Sequence, residues 1–283
     1  MKTILLPVED HPSAESAIDT AVQLALLFGS YVEGFALTSD PPLLVSADAF
    51  SGAIITTDPD PRSLDERARG CRALFESRMQ ARGLRHFSDD LQGPSVGWLH
   101  SDNGSGMGRP FLGSYGRVFD LTVVSRPQSA SDRPRMATLE AALFESGRPV
   151  LLAPPTPLGT LGENILIAWN GTPEAARTVA FALPLLRPAR QVTVVTLEGG
   201  QVPEPDGERL ARYLRLNGIV CQVRRVDPGS DSRGAAFLAE AARLGSDLMI
   251  KGAYTQSRLS QMIFGGATRH IVTEAAIPVL LAH

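Results

Sequence analysis

ENILIAWNGTPEAARTVAFALPLL, residues 163–186, reads as a short apolar strand, a polar turn and an alanine-rich helix. The same pattern stands near the start of the chain as KTILLPVEDHPSAESAIDTAVQLA, residues 2–25, with Pro12 in the turn where Pro173 stands later. Later segments recur in the same order. DLTVVSRP (120–127) pairs with DLMIKGAY (247–254), and SGRPVLLAPP (146–155) with AAIPVLLAH (275–283). Ordered self-similarity of this length points to two homologous domains, and a missed repeat would misassign the fold. The expected domains are 1–154 and 163–283, joined by APPTPLGTLGE (153–163), whose three prolines and two glycines continue neither helix nor sheet.

The offset between copies is 161 at the first strand and 129 at the last, so the first copy is longer by 32 residues. The excess is expected in residues 38–62, TSDPPLLVSADAFSGAIITTDPDPR, a stretch with four prolines. A loop of that length is commonly functional or mobile.

The second copy alternates strands and helices. Strands are expected at 164–170, 191–197, 219–226, 247–252 and 278–283, with helices at 173–186, 206–218, 232–246 and most of 259–276. Continuous apolar strands between helices indicate a doubly wound α/β domain with a parallel sheet covered on both faces. Ligands of such sheets bind outside the carboxyl ends of the strands, where the strand order switches.

Composition narrows the function. At 283 residues, with 43% apolar and 20% charged side chains, the chain can bury a sizeable core. A net charge of −3 and 6% aromatics give no basic field or stacking platform for nucleic acid. No stretch approaches the ~18 apolar residues of a membrane span, and no secretory leader is legible. Two cysteines without a CxxC fit a reducing compartment, so a cytoplasmic location is expected. Five scattered histidines offer no metal spacing. GxxxxGK[ST], GxGxxG after a first strand, and GxSxG are all absent. No nucleophile and base can be paired from the sequence, so an enzyme is not expected.

What remains is KGAYTQSRLSQMIFGGATRHIV, residues 251–272. A glycine pair opening a helix exposes unpaired backbone N–H groups to an anion, and equally could serve only to redirect the chain.

ILLPVED, ILIAWNGTPEAA and the last forty residues together resemble the universal stress protein family in its tandem form, over nearly the whole chain. The resemblance implies a five-strand doubly wound fold, an intrachain pseudo-dimer through the final strands with further homodimerisation left open, and an adenine nucleotide (ATP, ADP or AMP) as ligand. Magnesium is left open. The family's nucleotide motif is G-x2-G-x9-G-[S/T], preceded by an acidic residue after the first strand. Gly252 and Gly265 match the first and third glycines, whereas Thr255 replaces the second and Gly266 the hydroxyl residue. Asn170 takes the acidic position. The implied nucleotide site comprises Ala168, Trp169, Asn170, Gly171, Thr172, Thr196, Leu197, Gly252, Thr255, Gly265, Gly266, Ala267 and Thr268, with Trp169 stacking on the base if it faces the cleft. In the first copy Glu9 keeps the acid, and Arg126, Glu145 and Ser146 are read as standing in the region of the glycines, where Glu145 would repel phosphate. The alternative reading is an interaction module of the same family that binds protein partners and no nucleotide.

Overall fold

The structure is a computed structural model that describes residues 1–38, 63–87, 97–101, 108–127, 134–199, 205–253 and 266–283. Apart from Thr38, the expected excursion at 38–62 lies outside the described residues.

The first half supplies β1 (Thr3–Val8), β2 (Tyr31–Ala36), β3 (Gly97–His100), β4 (Leu121–Ser125) and β5 (Val150–Ala153). The second supplies β6 (Asn164–Ala168), β7 (Gln191–Leu197), β8 (Gln222–Val226), β9 (Leu248–Gly252) and β10 (Val279–Ala282). All ten form one sheet in the order β3-β2-β1-β4-β5-β10-β9-β6-β7-β8. Each half therefore runs 3-2-1-4-5 in its own strand numbers, the doubly wound arrangement expected from the repeat. Pairing is parallel within each half. It is antiparallel at the junction, where Val279, Leu280 and Leu281 face Leu152, Leu151 and Val150. Two apolar final strands would each leave an open edge, and pairing them with one another removes both. The intrachain pseudo-dimer follows from this. Any further association has to use another surface.

Helices cover both faces. On one lie α1 (Ala14–Phe28), α2 (Leu64–Ala81), α5 (Pro173–Leu186) and α6 (Gly207–Leu216), which share a core with Ile4, Leu6, Ile165, Ile167 and Ile250. On the other lie α3 (Gly108–Tyr115), α4 (Met136–Glu145), α7 (Arg233–Arg243) and α8 (Gly266–Glu274), packed on Leu5, Val124, Leu166, Met249 and Leu281. Successive side chains of each central strand alternate between these cores, so β1, β4, β5, β6, β9 and β10 are buried on both sides, whereas the edge strand β8 exposes Gln222, Arg224 and Arg225. The last helix starts at Gly266; the residues before it that were expected to be helical, from 259, lie outside the described residues. The eighth strand starts at Gln222, three residues later than expected.

Local signals set the helix ends. Thr172 caps α5 by accepting the Ala175 N–H at 3.3 Å, and Pro173 occupies the first-turn position it tolerates. The repeat extends to detail. Asp120 accepts the N–H groups of Lys2 and Thr3 at 2.5 and 3.2 Å. Asp247 accepts those of Gly162, Glu163 and Asn164 at 3.1, 3.0 and 2.9 Å. In both halves one carboxylate thus ties the approach to the first strand against the start of the fourth. Contacts also cross the junction. The Arg126 guanidinium donates to the Thr273 carbonyl at the end of α8. The His283 ring meets Phe144 edge-on at 4.8 Å.

Candidate functional site

In the second half the strand order switches between β6 and β9, so the crevice lies at their carboxyl ends. Ala168 closes β6 directly opposite Lys251 of β9. The chain then turns through Trp169, Asn170, Gly171 (φ 73°) and Thr172 into α5. Across the crevice, the first turn of α8 offers Gly266, Ala267 and Thr268.

Trp169 is only 5% exposed and belongs to the core beneath α5, with its indole N–H donating to the Pro205 carbonyl at 2.8 Å. This corrects the expectation that it stacks on a base: the ring serves packing, because its strand position points it at the α5 face. Asn170 is half-buried. Its side-chain oxygen accepts from the Thr172 N–H at 3.3 Å and the Thr172 hydroxyl at 3.0 Å, closing a local turn. The amide NH2 of Asn170 points to no protein acceptor among the described residues. Thr196 and Leu197 end β7, one strand further out, with the Thr196 hydroxyl 3.4 Å from the Arg224 carbonyl.

Gly252 has a structural reason to be glycine. A Cβ there would sit 2.4 Å from the Ala175 nitrogen and 2.7 Å from its Cα, inside the backbone of α5. Its lack of a side chain lets the first turn of α5 press against the end of β9. Gly266 is the reverse: it is exposed, and a Cβ would meet no heavy atom of the described residues within 4 Å. Among the described residues the start of α8 is therefore open. Thr268 is 6% exposed, and its hydroxyl accepts from Lys251 Nζ at 2.9 Å. It faces inward and does not stand in for the hydroxyl residue that Gly266 replaces. Thr255 and Gly265 lie outside the described residues.

Lys251 has no role in the sequence reading. It is 7% exposed, and Nζ donates to the Gly252 carbonyl at 2.8 Å as well as to Thr268. No carboxylate lies within ion-pair distance of it among the described residues. Burial pulls its amine down from the ordinary 10.5 to about 8. The missed signal was a lysine in DLMIKG at a position in phase with Met249, which the strand period sends to the core.

The first half differs at each equivalent position. Val124 stands for Lys251, Ser125 for Gly252, and Glu9 for Asn170. Glu9 is 3% exposed, and its carboxylate accepts the N–H of Arg135, the cap of α4, at 3.3 Å. Glu145 and Ser146 are not at the crevice: they end α4, where Arg117 Nε donates to the Glu145 carbonyl at 3.1 Å. That corrects the placement of Glu145 near the glycines, since it is equivalent to Glu274 at the far end of α8. One hydroxyl–imidazole contact does form, with Ser13 Oγ 2.8 Å from His11 Nδ1. The Ser13 N–H also donates to that nitrogen at 3.1 Å, so the pair closes the turn into α1. Among the described residues no group of three or more His, Cys, Asp or Glu could hold a metal ion. None of the described helices is long and apolar enough to cross a membrane.

No family model and no curated protein matches the chain. Solved structures do match it along its whole length. A universal stress protein from Archaeoglobus fulgidus DSM 4304 superposes with a TM-score of 0.68 at 11% identity, over 99% of this chain and 97% of that one. A putative universal stress protein from Pseudomonas aeruginosa UCBPP-PA14 gives 0.58 at 14% identity, over 100% and 93%. A functionally unknown protein from Pseudomonas aeruginosa PAO1 gives 0.57 at 14% identity, over 100% and 92%. With the repeat and the single ten-stranded sheet, these matches show that the chain has the fold of the universal stress proteins in its tandem two-domain form.

Proposed function

We propose that the protein is a universal stress protein that binds an adenine nucleotide in its second half and senses or stores it without appreciable turnover. The observation that carries this reading is the contrast between two equivalent crevices. At the helix following the fourth strand, the first half presents its own carboxylate, Glu9, to the N-terminal amide of α4. The second half presents the open turn at Gly266 with a buried ammonium behind it. The N-terminal N–H groups of α8 point out of the helix without intrahelical acceptors and favour an anion. Phosphates would lie on Gly266 and Ala267, with Thr255 and Gly265 of the preceding segment completing the cradle. The Asn170 amide would donate to the ribose or base edge, and the backbone at Thr196 and Leu197 would border the base. Fast phosphoryl transfer needs a metal clamp and a positioned base, and no described residue of the crevice is placed for either.

The test is to denature the purified protein, identify any released nucleotide, and titrate the emptied protein with ATP by calorimetry. Gly266→Glu places a carboxylate in open space at the helix start, so folding should change by no more than about 0.5 kcal/mol. ATP binding should fall by at least roughly tenfold, through charge repulsion at the phosphate position. Neither released nucleotide nor heat at millimolar ATP would overturn this reading in favour of a protein-partner module.

A further inference from the structure

Lys251 is expensive to the fold and has no partner among the described residues that requires a charge. Its ammonium is buried against a carbonyl and a hydroxyl, either of which a neutral group could satisfy. A buried charge lacking a counter-charge destabilises the native state. The chain itself shows that the position does not need one. Val124 occupies the equivalent point of the first half in the same fold, under the equivalent helix, and packs in the apolar core there. The packing of the fold therefore does not account for a charge at this position.

The location of Lys251 bears on what the charge serves. Nζ reaches the third residue of α8 from below, on the carboxyl side of β9, with Ala168 of β6 opposite. Two of the ammonium's three protons are taken by Gly252 and Thr268. The third has no acceptor among the described residues. The positive end of α8 and this buried unit charge meet at the first turn of the helix.

We propose that Lys251 is the charge-selecting residue of the second-half crevice, donating to an anionic phosphoryl group held at the start of α8 and so making the site discriminate phosphorylated ligands from neutral nucleosides. This rests on the nucleotide reading for the identity of the ligand, though not for its charge. Binding of the anion supplies the missing counter-charge, so the stability surrendered in the free protein is recovered in the complex.

The experiment compares wild type, Lys251→Met and Lys251→Arg with three probes, ATP, adenosine and inorganic tripolyphosphate, and records thermal melting without ligand. Lys251→Met should weaken ATP and tripolyphosphate by roughly 10–100-fold, the range for a hydrogen bond to a charged group. Adenosine affinity should stay within about twofold, and the ligand-free variant should melt higher than wild type. Lys251→Arg should restore part of the discrimination. If wild type binds ATP and Lys251→Met binds it equally well, the proposal fails while the nucleotide reading stands. If tripolyphosphate binds in a Lys251-dependent way and ATP does not, the proposal stands and the nucleotide reading fails. Failure of every phosphorylated probe to bind wild type overturns both. A ligand-free Lys251→Met that melts lower, or does not fold, makes the lysine structural and also overturns the proposal.

Discussion

The two halves share strand order, helix placement and the Asp120 and Asp247 clamps, yet their crevices carry opposite charge. At the first, Glu9 sits against the α4 cap; at the second, Lys251 sits under α8. Duplication supplies two copies of a frame, and only side chains at the strand ends decide what each does. An anion-favouring helix terminus can be satisfied from within by a carboxylate, which closes it, or left open with a cation beside it. On the proposed reading, the second arrangement is less stable alone and is completed by an anionic ligand.

The contrast can be broken first at the glycine that closes β9. Gly252→Ala forces a methyl into the α5 backbone and should cost about 4 kcal/mol, in the range of serious core overpacking. Ser125→Gly at the equivalent place should cost under about 1 kcal/mol. Chemical denaturation of the two variants measures the difference; equal costs would mean that the helices of the two halves approach their strands alike.

A pH series sharpens the charge argument. The unfolded chain keeps the Lys251 proton to about 10.5, whereas the folded chain releases it near 8. The unfolded state therefore binds more protons between these values, and wild-type stability gains from this group as pH rises through that window. Relative to Lys251→Met, the gain should approach about 3 kcal/mol. A stability gap that is constant from pH 7.5 to 10.5 would contradict it.

A more modest effect is expected at Glu9. Glu9→Ala removes the acceptor of a half-buried cap amide and should cost about 1 kcal/mol, with Glu9→Gln near half of that. Denaturation midpoints check this, and no loss in either variant would remove Glu9 as the occupant of its crevice.

The repeat, the parallel sheet and the pairing of final strands were legible because they rest on periodicity and on apolar runs, which local chemistry writes into the chain. Trp169 was misread because NILIAWN shows a tryptophan at a strand end without showing which face it takes. Glu145 was misread because the segment between β4 and α4 has no counterpart of equal register by eye, and the helix end became clear only in three dimensions. Gly252 looked like a phosphate glycine, and its clash partner, Ala175, is 77 residues earlier in the chain. Lys251 carries no signal of its own in the sequence, since a single lysine beside an exposed-looking glycine loop reads as a surface charge.

By itself the sequence determined the class of fold and its duplication, because strand and helix periods and turn residues are local properties. Tertiary structure alone decided which groups meet at the two crevices. Whether a charge is buried, paired or opposed depends on elements far apart in the chain, brought together by packing.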